Sequence, residues 1–301
     1  KVLDTSCGSG GFLLYALNKV RNEATDYYPN YKNDAKQYAK WFPYWHDFAE
    51  KNLYGIEINE QISRAAKMNM IIHDDGHTNV ITSDGLVSDA VIKERTGNKG
   101  FEYGTFDFII TNPPFGSNIR QTEQAYLKTY QLGKKEEDWL AVKAKAGDGT
   151  RDGQQSEVLF IEQDYKFLKE GGILAIVLPD GILTNSSMQY VRTQLEDWFR
   201  IVAVVSMPQT AFAANGAGVK SSVLFLKKWS KDHTEELEGK KKAIEDKLLK
   251  DACYLETRNT WDKEIRQKQR EKVDSLKTRE LKSATAIKQT QAYKEWNAEL
   301  L

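Results

Sequence analysis

The feature that most constrains this chain is a set of short apolar runs, Asp107 their one charged residue, without regular polar alternation: Val2-Leu3, Leu53–Ile56, Phe106–Ile110 and Ile173–Leu178. A half-buried strand alternates apolar and polar residues, whereas a strand covered on both faces is apolar throughout. Helical patterns lie between these runs. Ile62, Ala65, Ala66 and Asn69 share a face after Asn59, and Val158, Ile161, Tyr165 and Leu168 form a second stripe that Gly171-Gly172 is expected to stop. Strand–helix alternation of this kind predicts an α/β fold, an open and mostly parallel sheet flanked by helices. Ser221–Leu226 reads as one more strand near the end of the sheet. Lys1-Val2-Leu3-Asp4 already reads as the end of a buried strand, so further sequence is expected upstream of Lys1.

Composition excludes some classes. Hydrophobic residues make up 40% of the chain, enough for a packed interior, and no apolar run approaches the roughly 18 residues of a membrane span. Cys7 and Cys253 cannot by themselves make a disulfide framework or a zinc site, which points to a reducing, cytoplasmic setting. The 43 basic residues are balanced by 43 acidic ones. A protein that grips DNA unaided usually carries a basic excess, so the neutral charge weakens a lone DNA-binder reading and leaves room for a partner that supplies the grip.

Three stretches depart from the α/β rhythm. Residues 27–52 form a Tyr/Trp/Lys-rich insertion with Trp41, Phe42, Tyr44 and Trp45 close together. Such rings either stack on bases or pack on their own domain. Residues 117–155 are polar, contain Gly147, Gly149 and Gly153, and carry Lys143, Lys145 and Arg151; a long loop of this kind is expected to be mobile and to order over a bound strand. From about Ser230 charged residues dominate. A partial heptad of Leu237, Ile244, Leu248 and Leu255, followed by Trp261, Ile265, Val273, Leu276 and Leu281, predicts long helices with a thin apolar seam. The division expected is a domain over 1–229 and a helical extension over 230–301.

Three motifs carry chemistry. Asp4-Thr5-Ser6-Cys7-Gly8-Ser9-Gly10-Gly11 joins a strand to a helix with residues small enough for the backbone to turn sharply and approach a ligand. No Lys-Ser/Thr pair follows, and Asp4 would repel a pyrophosphate but suits the cationic amino-acid end of a ligand. Glu57, at the end of the second strand, is placed to accept hydrogen bonds from two ribose hydroxyls, and Asp84 is placed to reach an adenine amine. The most telling element is Thr111-Asn112-Pro113-Pro114-Phe115 after the apolar Phe106–Ile110 run. Paired prolines remove backbone donors and fix φ, leaving carbonyls free. The Asn112 side-chain oxygen and the Pro113 carbonyl can both accept from one NH2 group, and Phe115 offers a ring face to a planar substrate. Two acceptors on an amine stabilise the positive charge that grows as nitrogen attacks a methyl group.

The order Asp4…Gly8-Ser9-Gly10-Gly11-Phe12, Glu57, Asp84, Asn112-Pro113-Pro114-Phe115 and Gly171-Gly172-Ile173-Leu174-Ala175-Ile176-Val177-Leu178-Pro179-Asp180-Gly181 resembles the amino-methylating DNA methyltransferases, above all the modification (methylation) subunits of type I restriction-modification systems. The resemblance covers roughly residues 1–229. It implies a Rossmann-like, S-adenosylmethionine-dependent methyltransferase sheet and methylation of adenine N6 in double-stranded DNA with the base flipped out of the helix. Carried over, Asp4, Thr5, Gly8, Ser9 and Gly10 would line the methionine part of S-adenosyl-L-methionine, Glu57 its ribose and Asp84 its adenine. Asn112 and Pro113 would hold the target amine, with Pro114 stiffening the turn and Phe115 stacking on the base. The family also implies a specificity subunit, a restriction nuclease subunit and a docking role for the tail. Thr5, Ser6 and Ser9 replace residues common in the family's first turn. Two other readings remain open at this stage: a protein glutamine-N5 methyltransferase, which usually has Tyr after the prolines, and a catalytically inactive cofactor-binding scaffold.

Overall fold

The computed structural model describes residues 1–74, 79–120, 125–135, 149–212, 219–251, 253–277 and 283–300. In chain order its elements are β1 (Val2–Asp4), α1 (Gly11–Tyr27), α2 (Ala35–Asn52), β2 (Leu53–Glu57), α3 (Glu60–Ile72), β3 (Asn79–Thr82), α4 (Asp89–Thr96), β4 (Phe106–Thr111), β5 (Asn118–Arg120), β6 (Gly153–Gln155), α5 (Ser156–Phe167), β7 (Leu168–Pro179), α6 (Asp180–Thr184), α7 (Gln189–Trp198), β8 (Phe199–Ser206), β9 (Ser221–Lys228), α8 (Lys231–Asp251), α9 (Tyr254–Ser275), α10 (Ala284–Gln289) and α11 (Gln291–Leu300). Local chemistry sets several of the starts. Asn59 caps α3 by accepting from the Gln61 and Ile62 amides, and Asp34 caps α2 through the Lys36 amide.

Seven strands form one sheet in the order β3-β2-β1-β4-β7-β9-β8. Neighbours are parallel except around β9, which runs antiparallel to both β7 and β8. The chain winds outward from β1 to β3, then restarts on the other side at β4. The junction of β1 and β4 is therefore the topological switch point, where open α/β sheets bind ligands at their carboxyl ends. Pairing of Leu3 with Ile109 and of Asp4 with Gly55 brings the ends of β1, β2 and β4 to one edge.

The two faces of the sheet are covered unequally. One face carries a core running from Ile81 and Ile56 through Leu3, Ile109 and Ile176 to Leu224 and Leu226, packed under helices that contribute Ile92, Val158, Ile161, Val191 and Leu195. The core on the other face, built on Leu13, Leu17, Trp45, Ala49, Ala66 and Met70, lies over β1–β3, and Phe108 on β4 and Phe225 on β9 are exposed.

Several expectations need correction. On α3 the buried positions are Ser63, Ala66 and Met70, while Ile62 is exposed. Helix α5 ends at Phe167, so Leu168, Gly171 and Gly172 belong to β7 rather than to a helix and its stop. The strand β8 was not anticipated, and β9 sits one place in from the edge because β8 pairs outside it. The 117–155 stretch is not structureless. Its ends pair antiparallel as β5 and β6, Ala125–Thr129 forms a 3-10 turn, and Arg151 stacks on Tyr190 at 4.1 Å while donating to the Lys134 carbonyl. Lys143 and Lys145 lie outside the described residues. Residues 27–52 comprise the last residue of α1, a turn over 28–34 and the helix α2. Trp45 is buried there and Trp41 stacks on Tyr31, so this part of the cluster packs on its own domain.

The described residues of Lys1–Glu136 and Gly147–Leu237 form one compact unit, and Glu238–Leu301 belong to a second. In the second unit Val273, Ile287 and Tyr293 make a small core, joined by Leu276 and Trp296. Ile244, Leu248 and Trp261, expected on an apolar seam, are exposed, and Leu281 lies outside the described residues. Among the described residues no helix is long and apolar enough to cross a membrane. Cys7 is buried and Cys253 exposed, both as free thiols.

Candidate functional site

A cavity of about 450 Å3 opens at the switch point, lined by Thr5, Ser6, Glu57, Ile58, Asp84, Gly85, Leu86, Asn112, Pro114, Ser117, Ile119, Ser156 and Phe160. That volume suits a nucleoside-sized ligand. The first turn shapes one wall. Gly8 and Gly10 adopt left-handed backbone at φ 53 and 86, a conformation that glycine takes without steric cost. The Glu57 carboxylate braces this turn, with Oε2 accepting from the Gly8 amide at 3.0 Å and Oε1 from the Asn59 amide at 2.8 Å. Each oxygen keeps a further lone pair for a ligand hydroxyl. Asp84 accepts from the Leu86 amide at 2.9 Å, and a Cβ on Gly85 would lie 2.5 Å from the Thr5 carbonyl, so only glycine lets this loop close on the first turn.

The opposite wall is the Asn112–Phe115 turn. Asn112 is half-buried, and its Oδ1 is a buried acceptor with no hydrogen-bond partner. An orphaned acceptor of this kind costs free energy unless a ligand completes it. Pro113 is buried and Pro114 exposed. The turn is anchored from α5: the Ser156 hydroxyl donates to the Pro114 carbonyl at 2.9 Å, and the Gly116 amide donates to the Glu157 carboxylate at 3.2 Å. Phe115 meets Phe212 edge-to-face with ring centroids 6.1 Å apart.

Helix α5 also anchors the other two loops. The Gln163 amide donates to the Gly85 and Val87 carbonyls, both at 2.8 Å, and its oxygen receives the Tyr103 and Tyr130 hydroxyls. Asp164 meets the first turn, its Oδ1 lying 2.8 Å from the Thr5 hydroxyl oxygen. Thr111, the last residue of β4, donates to Asp4 at 2.8 Å and contacts the Ser6 hydroxyl at 2.8 Å. Burial pushes the Asp4 carboxyl up to about 7, against the lowering effect of its bonds from Thr111 and the Ser6 amide. Burial likewise raises Asp164 well above the usual carboxylate range, and raises the Cys7 thiol so that it stays protonated.

Of the residues singled out from sequence, Thr5, Glu57, Asp84, Asn112 and Pro114 line the cavity. Asp4 is instead buried behind the turn, its Oδ1 taken by Thr111 and the Ser6 amide. Gly8 and Gly10 shape the turn without lining the cavity, and Ser9 is exposed with its carbonyl bonded by Asn69. Pro113 and Phe115 flank the lining. Sequence reasoning missed Ser156, Phe160, Gln163 and Asp164. For Ser156, Gln163 and Asp164 the signal was polar residues inside an apolar helix, which periodicity alone scores as a solvated face; Phe160 carried no signal beyond an ordinary core position.

The donor set fits an S-adenosylmethionine-like group: an acid at the end of β2 for a ribose, apolar Ile58, Leu86 and Phe160 for a base, and a turn free of bulky side chains. Fold and site together define a Rossmann-like α/β protein with a nucleoside-type cavity facing an Asn-Pro-Pro-Phe turn. The model of the N-6 DNA methylase family matches residues 1–299, and the chain belongs to that family. It is 25% identical over 229 residues to the type II restriction enzyme and methyltransferase RM.BcgI of Heyndrickxia coagulans, covering 75% of this chain and 27% of that one. It is also 25% identical over 231 residues to the type I restriction enzyme EcoEI methylase subunit of Escherichia coli, covering 75% and 38%. Among solved structures, the M protein of the type I restriction enzyme EcoKI aligns with a TM-score of 0.50 at 22% identity, over 77% of this chain and 40% of that one. The likeness is one of fold, and it agrees with the methyltransferase sheet expected from the motifs. The chain spans only 27% and 38% of the length of these two curated relatives.

Proposed function

We propose that this chain carries the catalytic domain of an S-adenosyl-L-methionine-dependent DNA adenine-N6 methyltransferase, acting as the methylation subunit of a type I restriction-modification system. The observation that carries the reading is the unpartnered Asn112 Oδ1, buried in the wall of a cavity whose other side is the Thr5-Ser6 turn. When bound, the cofactor supplies an electrophilic methyl on a sulfonium. Glu57 holds the ribose by its remaining lone pairs, Asp84 receives the adenine amine, and Thr5 with the glycine backbone at 8 and 10 accommodates the methionine portion. Asn112 Oδ1 and the Pro113 carbonyl accept the two hydrogens of the target amine and stabilise its positive charge as the new bond forms. Phe115 packs on the flipped base, since a stacked amine cannot be approached in line. Double-stranded DNA is the substrate. A specificity subunit supplies most of the grip, in keeping with the neutral charge of this chain, and a restriction nuclease subunit is a further partner.

The test is transfer of labelled methyl from S-adenosylmethionine by the full-length protein with its specificity partner. Adenine in duplex DNA becomes labelled, and Asn112→Ala lowers kcat by roughly 100- to 1000-fold while leaving cofactor affinity near wild type, because it removes a contact made to the reacting amine. Label on a protein glutamine, or undiminished activity in Asn112→Ala, overturns the reading.

A further inference from the structure

We infer that Asp164 is a positioning residue which, through the hydroxyls of Thr5 and Thr111, fixes the first turn against the Asn112 turn. The inference rests on the proposed function in naming what the two turns hold, cofactor and target amine. The strands that carry them pair through Val2 with Phe108 and Leu3 with Ile109, and no further. Beyond that point no backbone ladder joins β1 to β4, yet the chemistry depends on the gap between Thr5-Ser6 and Asn112. Side chains continue the ladder: Asp164 Oδ1 lies 2.8 Å from the Thr5 hydroxyl, Thr5 lies 3.2 Å from the Thr111 hydroxyl, and Thr111 lies 2.8 Å from Asp4.

A carboxyl is costly at this place. Asp164 is fully buried, its Oδ2 has no hydrogen-bond partner, and its neighbours on α5 include the buried Leu159, Phe160, Ile161 and Phe167. A leucine would fill such a position at no desolvation cost, so packing alone does not explain an acid. A protonated Asp164 does, since it donates to Thr5, Thr5 to Thr111 and Thr111 to Asp4, a head-to-tail series in which each hydroxyl donates once, with the Thr111 oxygen also accepting from the Ser6 hydroxyl at 2.8 Å. The burial that raises its pKa keeps that proton in place. Thr5 lines the cavity and Thr111 directly precedes Asn112, so loss of the series frees both walls at once.

The test compares Asp164→Leu, Asp164→Asn and Thr111→Val with wild type in the full-length protein, reading amide hydrogen exchange at residues 4–11 and 111–117, affinity for S-adenosylhomocysteine by calorimetry, and kcat against KM. Asp164→Leu is expected to speed exchange in both segments about tenfold and to weaken S-adenosylhomocysteine about tenfold, with kcat falling further than KM rises. Asp164→Asn, which keeps a donor and an acceptor, restores both readouts to within about threefold of wild type. Unchanged exchange in Asp164→Leu, or loosening of the first turn alone, overturns the inference. Should Asp164→Leu not fold, Thr111→Val decides: loosening in both segments supports the series, and loosening confined to 111–117 overturns it. A wild-type protein that does not bind S-adenosylhomocysteine overturns the proposed function instead, and the exchange comparison still judges Asp164.

Discussion

Helices α2 and α5 relate to their sequences in opposite ways. Helix α2 brings Trp41, Phe42, Tyr44 and Trp45 together, a composition that invites a binding role, yet its buried residues are Trp45 and Ala49 and its rings meet mainly one another, Tyr31 and, on α1, Tyr27. Helix α5 contains Ser156, Glu157, Glu162, Gln163 and Asp164, a composition that reads as a solvated face, yet all of these are buried. The difference is in what each buried group meets. Trp45 meets apolar side chains and the Arg21 guanidinium at 4.1 Å, whereas each polar group on α5 meets a backbone or side-chain atom of a loop. Buried polar groups are directional and cost free energy when unpaired, so a helix carrying several of them fixes its neighbours more narrowly than one carrying rings.

The comparison breaks or sharpens by substitution. The largest effect on stability is expected on α2: Trp45→Ala leaves a large void and costs about 3–5 kcal/mol in denaturant unfolding. S-adenosylhomocysteine affinity in the variant that remains folded stays near wild type, and a matching loss of affinity would make α2 part of the site. On α5, Gln163→Leu strands the Tyr103 hydroxyl and the Gly85 and Val87 carbonyls, costing about 1–3 kcal/mol, and it also weakens ligand binding because the Asp84 loop loses its anchor. Loss of stability with intact affinity would reduce α5 to ordinary core.

A further effect is on the pH dependence. The folded protein holds a proton on Asp4 up to about pH 7, whereas an unfolded chain sheds it near the ordinary value of 3.8. Between those values the folded state binds more protons, so this group makes stability fall as pH rises from about 4 to about 7, with the full penalty present above that window. Asp4→Asn removes this slope. Melting temperature measured from pH 5 to 8 should therefore decline less steeply with rising pH in the variant, and identical slopes would show that the carboxyl ionises normally.

Much of this was legible in the residues. Runs that are apolar or nearly so announced β1, β2, β4 and the centre of β7, although helices cover the second face only over β1–β3 and leave Phe108 on β4 exposed. The glycine turn and the paired prolines announced two corners of the cavity, because positive φ and missing backbone donors are properties of single residues. The strand β8 escaped notice because Arg200 follows its first residue and its valines stand at an exposed sheet edge, outside the pattern of a strand covered on both faces. Asp4 was expected to face a ligand and faces Thr111 instead, since the direction of a side chain at a strand end depends on what packs beside it.

What the sequence determined by itself was the kind of protein: an α/β sheet, a nucleoside turn and an amine-accepting turn, each encoded within a few consecutive residues. Only the tertiary structure decided how those pieces are held together, through Ser156, Glu157, Gln163 and Asp164 on one buried helix. The contact of Thr5 with Asp164 joins residues 159 positions apart, and that of Thr111 with Asp4 joins residues 107 apart. A polar residue is identical on paper whether it faces water or a distant hydroxyl, and only the folded chain supplies the partner that tells the two apart.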